Sequence, residues 1–334
     1  MDNIQTELFS RIKAAMPVPG LMPDQLADLL QISKDSVYRR IKGEKPLLFD
    51  EIVTIAKAFH ISLDEIMNLS SESIVFHGQY VNEDNFNLEH YVGSMIQNLQ
   101  SLSVLENVNL YYISKDIPVF YYLMFPEIAA FKFFVWAKTQ MQFEHFKDRV
   151  FSFDIVTAEL ADLCKKAAQL YASQPSVEIL NADNILNDLR QLEYYKDTNV
   201  FNNRDEIDCI YDKMDEMVAY MENQAVSGHK SLPGQADGGG DYKLYVNDFY
   251  VGDNTVIASS NSMRIVFLNH AAINFVSTVS PNFVDYNIDF MNNLIKKSAL
   301  ISEVGERTRS RFFNLIHERI ARHRLHTMHS FRNS

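Results

Sequence analysis

The sequence predicts a multidomain, mainly α protein: an N-terminal all-α helix-turn-helix domain over residues 1–70 and a mixed α+β C-terminal region over residues 71–334. Three observations lead there. Apolar residues recur at helical spacing through the first 70 residues. Strand-like runs rich in β-branched and aromatic residues flank helical segments after residue 71. A length of 334 residues with 47% hydrophobic content suffices for two or three buried cores.

The N-terminal elements follow in order. MDNIQTELFSRIK is polar and helical and carries no secretory signal. Residues 22–68 then read as four short helices. Pro23 suits the first turn of the first, with Leu26, Leu29 and Leu30 at helical spacing behind it. Gln31 and Ile32 end it, and Ser33 is a good N-cap for a second helix in which Val37 and Ile41 fall about one turn apart. Gly43 stops that helix. Phe49, Ile52, Ile55 and Phe59 form a third apolar stripe, and Ser62 caps a last helix carrying Leu63, Ile66 and Met67.

The helix at 34–42 spends its outward positions on Lys34, Asp35, Ser36, Tyr38, Arg39, Arg40 and Lys42, with Lys45 just beyond. Between residues 34 and 45 stand five basic and two acidic side chains, a local charge of +3. A solvated helix face would have a similar composition. A short exposed helix delivered by a tight turn into a major groove needs this combination of buried spacing and basic, hydrogen-bonding surface, so double-stranded DNA is the expected partner.

LADLLQISKDSVYRRIKGEKP followed by ISLDEI resembles the Cro/C1-type (XRE) helix-turn-helix family over residues 8–68, about a fifth of the chain. The resemblance implies that Lys34, Asp35, Ser36 and Arg39 read bases while Lys42 and Lys45 meet the backbone. Two positions depart from the family pattern. Pro23 stands where a glutamine often reaches a phosphate, and Arg40 stands where an apolar residue is usual. If Ile41 takes that core role, the outward face rotates by one residue and Tyr38 or Arg40 replaces Arg39 as the reader.

The net charge of −12 divides unevenly along the chain. Residues 1–70 carry −2, residues 307–334 carry +6, and the stretch between carries −16. The acidic middle repels DNA, which favours contact through the 34–45 segment. The most apolar stretch, residues 117–137, is interrupted by Pro118, Pro126, Glu127 and Lys132, so no membrane span is expected. Cys164 and Cys209 stand alone, as reduced thiols do. The expected location is cytoplasmic.

Beyond residue 70, residues 74–81 and 109–114 read as strands around a helix near 85–102, with Leu88, Tyr91, Met95 and Leu99 on one face. Helices dominate to about residue 224. Ile207, Ile210, Met214, Met217 and Met221 form a stripe that suits either a core-facing helix or a dimer seam. Residues 226–241, with five of the eleven glycines, read as a flexible loop. Three strand-like runs follow (YKLYVNDFYVG, NTVIASS and MRIVFLN) and suggest an antiparallel meander. The basic helix at 303–325 buries Phe312, Ile316 and Ile320 and shows Arg307, Arg311, Arg319 and Arg322. Three roles suit it: phosphate contacts, docking on acidic surface, or a solvated face.

Tyr112, Tyr121, Tyr122, Phe125 and Trp136 belong to an aromatic cluster that suits a small-molecule pocket, an aromatic core or a subunit interface. HERIA at 317–321 fails the HExxH pattern at Ala321. His323, His326 and His329 lack a supporting carboxylate or cysteine, so no metal, no cofactor and no catalytic residue is expected. The expectation is a homodimeric transcription regulator with an effector-binding C-terminal region. The alternative is an enzyme of unknown reaction fused to a DNA-targeting helix-turn-helix module.

Overall fold

The structure, a computed structural model, describes residues 4–15, 21–59, 74–78, 87–234, 239–249, 252–270 and 273–331, together with Ile61, Leu63 and Ile66. It divides into two compact units, Met1–Val75 and Phe76–Ser334.

Unit 1 contains α1 (Ile4–Ala15), α2 (Met22–Leu30), α3 (Lys34–Ile41) and α4 (Phe49–Ala58). Leu8, Phe9 and Ile12 of α1 close a core with Met22 and Leu26 of α2, Val37 of α3, Leu47 of the α3–α4 connection and Ile55 of α4. Pro23 lies in the first turn of α2, where its missing N–H costs nothing. Gln31 ends that helix in the left-handed region, at φ 54°, and the Ser33 hydroxyl accepts from the Ser36 N–H to start α3. Gly43, at φ 77°, turns the chain after α3.

One expected core residue is displaced. Phe49 is 71% exposed, because Leu47 enters the core and Phe49 begins α4 on its outer side. Ile66 packs against this core; the proposed cap at Ser62 and the contact of Met67 lie outside the described residues.

Unit 2 begins with α5 (Leu88–Ser103), β1 (Asn109–Ile113), α6 (Val119–Leu123) and α7 (Pro126–Val135), which runs into a π-turn at Trp136–Gln140. There follow α8 (Ala158–Ala172), β2 (Ser176–Leu180), α9 (Leu186–Asp197), α10 (Arg204–Ser227) and β3 (Tyr242–Val246). The chain continues through β4 (Thr255–Ser259), β5 (Arg264–His270), β6 (Asn274–Thr278), α11 (Pro281–Ile295), β7 (Ala299–Leu300) and α12 (Glu306–Phe331).

The seven strands form one mixed sheet in the order β6-β5-β4-β1-β2-β3-β7. β1, β2 and β3 are parallel, as the helical crossovers between them require. The expected meander is shifted: β3 pairs with β2 and β7, and the antiparallel run is β4-β5-β6 attached to β1. β2 falls within the stretch that the sequence suggested helices dominate. Of the strand expected at 74–81, the described part makes a single bridge, His77 to Ser277.

Alternation along the strands serves two layers. Leu110 and Ala258 face a cluster with Leu99 and Leu102 of α5 and Tyr171 of α8, whereas Ile113, Ile179, Ile257 and Val266 face Val284 and Met291 of α11. The stripe on α10 is wholly interior: Ile207, Ile210, Met214, Met217 and Met221 are buried in the largest core, which excludes the dimer-seam alternative.

Of the glycine-rich segment at 226–241, residues 235–238 lie outside the described residues, and the described flanks are packed rather than loose. Lys230 is 1% exposed, Lys230 N–H donates to the Gly240 carbonyl, and Gly240 N–H donates to the Ala172 carbonyl. A Cβ on Gly239 would lie 1.9 Å from the Lys230 carbonyl oxygen, so only glycine allows this approach.

α12 docks on acidic side chains of its own unit. Arg319 pairs with Asp183 at 2.5 Å, Arg324 with Asp208 and Asp212 at 3.2 and 2.5 Å, and His317 with Asp215 at 2.5 Å. His323 and His326 both approach Glu193, while the side chain of His329 lies outside the described residues. The apolar stretch at 117–137 is broken into α6 and α7 at Pro126; among the described residues no helix is long and apolar enough to cross a membrane.

Candidate nucleic-acid interface and ligand cavity

In unit 1, α2, a three-residue turn and α3 present one helix to solvent. Lys34, Asp35, Tyr38, Arg39, Lys42 and Lys45 are exposed, and Ser36 is half-buried. Lys34 pairs with Asp24 across the two helices, so binding a phosphate there displaces a carboxylate. Its ammonium is held above its ordinary pKa, first by that hydrogen bond and then by the same charge. Arg39 lies 3.8 Å from Glu44, with both side chains exposed, and solvent screens this pair.

Arg40 corrects the sequence expectation. It is 3% exposed and does not belong to the outward face. Its Nε and Nη2 donate to the two Glu51 oxygens at 3.1 and 2.6 Å, and its Nη1 donates to Ser36 Oγ at 2.6 Å and to the Ser36 carbonyl at 3.2 Å. The position where an apolar residue is usual is thus filled by a neutralised, fully bonded guanidinium, and Ile41 remains half-buried beside it. Glu51 also accepts from the Leu48 N–H at 2.9 Å. Burial opposes its charge, but the Arg40 hydrogen bonds and the Leu48 amide hold its carboxyl below the usual carboxylate range. With Arg40 turned inward, four basic groups remain against Asp35 and Glu44.

Gln5 of α1 locks the end of this helix. Its amide donates to the Arg40 and Lys45 carbonyls at 2.6 and 2.9 Å, and its carbonyl accepts from the Leu47 N–H at 2.9 Å. These bonds tie the α3–α4 connection to α1, giving the exposed face a rigid backing.

In unit 2 the aromatic candidates separate into two groups. Tyr112, Tyr122 and Trp136 line a cavity of about 70 Å³. Tyr121 and Phe125 do not; they pack in the core, both edge-on to Tyr220. The cavity lies where β1 ends: Asp116 and Ile117 follow β1, Asn187 follows β2 by one short turn, and Asn254 precedes β4. Carboxyl ends of parallel strands are the usual ligand position in open α/β sheets. Amides tie these ends together, since Asn184 Nδ2 donates to the Ser114 carbonyl at 2.8 Å and Asn181 Nδ2 to the Asn247 carbonyl at 2.7 Å.

Lys132, which lines the cavity, belongs to a buried ion pair. Lys132 Nζ lies 2.5 Å from Asp188 Oδ1 and 2.8 Å from Gln191 Oε1, and the Tyr122 hydroxyl donates to Asp188 Oδ2 at 2.8 Å. Burial lifts the Asp188 carboxyl above its ordinary pKa even though Lys132 and Tyr122 pull the other way. The Lys132 ammonium lies 5.0 Å from the Tyr122 ring centroid and 5.9 Å from that of Trp136.

A second buried charge lies deeper. Glu178 on β2 is fully enclosed and accepts from the hydroxyls of Tyr121, Tyr171 and Tyr242. Lys230 Nζ lies 3.3 Å from the Tyr171 ring centroid, and burial depresses its pKa to about 7. Sequence reasoning missed Lys132, Asp188, Glu178 and Lys230. A lysine inside the apolar run AAFKFFV was the one available signal, since a charge there demands a partner.

The two thiols have no functional surroundings of this kind. Burial pushes the Cys164 thiol up to about 12 and raises that of Cys209 as well, so neither is activated.

The α2–turn–α3 arrangement with its outward basic face defines a helix-turn-helix DNA-binding domain. The family model for the BetR domain, a family of such domains, matches residues 21–83, which include α2, α3 and α4. No curated protein matches the chain, and no solved structure does.

Proposed function

We propose that the chain is a homodimeric transcription regulator of the Cro/C1 type that reads an operator through α3, with unit 2 serving dimerisation and effector sensing. The observation that carries this is the exposed basic face of α3, presented behind a helix-turn-helix within the BetR match. Arg39 is the base reader: it is the one guanidinium on that face once Arg40 is turned inward, and an arginine fork suits guanine O6 and N7. Lys34, Ser36 and Tyr38 flank it, and Lys42 and Lys45 lie beyond the helix end, where phosphates pass. One such domain gives little specificity. Two half-sites one helical turn apart multiply it, which is the reason to assign self-association.

The test is binding of the full-length protein to fragments of its own locus, with oligomeric state measured in parallel. Arg39→Ala is expected to weaken selective binding by roughly tenfold or more, leaving helicity and oligomeric state as in the parent. Unchanged selective affinity overturns the assignment of Arg39, and no binding by the parent at low salt overturns the regulator. Unit 2 is assigned a regulatory rather than a catalytic role.

A further inference from the structure

The cavity beside Lys132 and a neighbouring groove share four walls. Tyr91, Tyr112, Val119 and Phe275 line both the cavity of about 70 Å³ and a groove of about 330 Å³. Their chemistry differs. The cavity is walled by amides and charges: Gln191, Asn187, Asn254, Asn269, Asp116 and Lys132. The groove is walled by Met95, Leu99 and Leu102 of α5, by Phe120, and by Val256 and Phe267 of the sheet. A polar end and an apolar end meet at two tyrosines, which suits a molecule with the same division.

The charges define the polar end further. An anionic head would lie near Asp116, whose carboxylate accepts from Asn187 Nδ2 at 3.1 Å and Asn254 Nδ2 at 3.2 Å. Lys132 does not offset that repulsion, because Asp188 already neutralises it at 2.5 Å. A cationic head would find the faces of Tyr122 and Trp136 already taken by Lys132, and the Asp116 carboxylate already engaged by Asn187 and Asn254. A neutral head carrying N–H and C=O or hydroxyl groups meets neither penalty and finds amide partners, which a buried polar group requires.

The geometry points to an uncharged amphiphile as the ligand, with an amide- or hydroxyl-bearing head in the cavity and an aliphatic tail in the groove. As an effector this rests on the sensing role proposed for unit 2; as a binding site it stands on the cavity alone.

Trp136 is the single tryptophan of the chain and lines the cavity, so its emission reports on this site. The full-length protein is titrated with N-octanoylglycinamide, octanoate, octylammonium and N-acetylglycinamide, following Trp136 emission and heat together. The expected result is saturable binding of N-octanoylglycinamide, roughly tenfold or more tighter than either charged octyl compound, with no response to N-acetylglycinamide at the same concentrations. Ser94 lines the groove on a half-buried face of α5, and Ser94→Phe, which fills the groove, is expected to weaken N-octanoylglycinamide by a similar factor. Equal affinity for octanoate, or neither heat nor emission change with any octyl compound, overturns the proposal whatever the variant does. DNA binding is measured with and without N-octanoylglycinamide. Selective binding of that probe with unchanged DNA affinity supports the site and overturns the sensing role; its failure to bind, with DNA binding intact, overturns the site and leaves the DNA-binding assignment standing.

Discussion

Arg40 shows what one residue can hide. Read along the helix it is a third consecutive polar position, after Tyr38 and Arg39, and a natural phosphate ligand, yet it is the best-satisfied side chain of α3, held by Glu51 eleven residues later and by Ser36. Removing one partner of a buried pair leaves the other uncompensated, so Arg40→Ala is expected to destabilise unit 1 by about 3 kcal/mol at neutral pH. The pH dependence has a definite sign. Glu51 is depressed in the folded state, so its contribution is present above the unfolded value of about 4.3 and is lost as pH falls through the lower folded value. The stability difference between parent and variant, read by denaturant unfolding, should therefore be full at pH 7 and should narrow as pH falls below about 4.3. A constant difference would show that Glu51 is not the partner that matters.

At the scale of elements, α10 separates two roles that share one pattern. A methionine and isoleucine stripe at three- and four-residue spacing fits a seam between subunits as well as a core. In the fold, Met214 and Met217 are completely buried within their own unit. Met217→Ala is expected to cost about 3 kcal/mol through lost contacts and the cavity left behind, with oligomeric state at matched concentration unchanged. Loss of the oligomer without loss of stability would return the stripe to an interface. The strands teach a related lesson. β2 is only five residues long and carries Glu178 at its centre, so its pattern lacks the continuous apolar run of a buried parallel strand. Three tyrosine hydroxyls make that carboxylate tolerable, and they come from α6, α8 and β3.

For the whole molecule, the distribution of charge governs association. The chain carries −12, and two arginines of the basic α12, Arg319 and Arg324, are occupied by Asp183, Asp208 and Asp212 of its own unit. The cations left for DNA in the described part of unit 1 are chiefly Lys34, Arg39, Lys42 and Lys45. A dimer that sets Lys34, Lys42 and Lys45 on phosphates in each half-site, with Arg39 on a base, gives a slope of about −5 for log affinity against log salt. Titration of a selective fragment over a range of salt concentrations measures it. A slope shallower than about −2.7 would mean that fewer than half of these phosphate contacts form.

The sequence by itself determined the N-terminal helices, their caps at Ser33 and Gly43, the mixed character of the rest, and which short helix faces outward. Those features depend on spacing and on residues within a turn of one another, and such information is local. Tertiary structure decided the parts that depend on distant partners: that Arg40 turns inward to Glu51, that β3 joins β2 rather than β4, that Lys230 and Gly239 pack instead of linking, and that Lys132 meets Asp188 beside Trp136. Each of these sets a buried charge or a close backbone contact against a group far along the chain, and periodicity carries no record of such pairings.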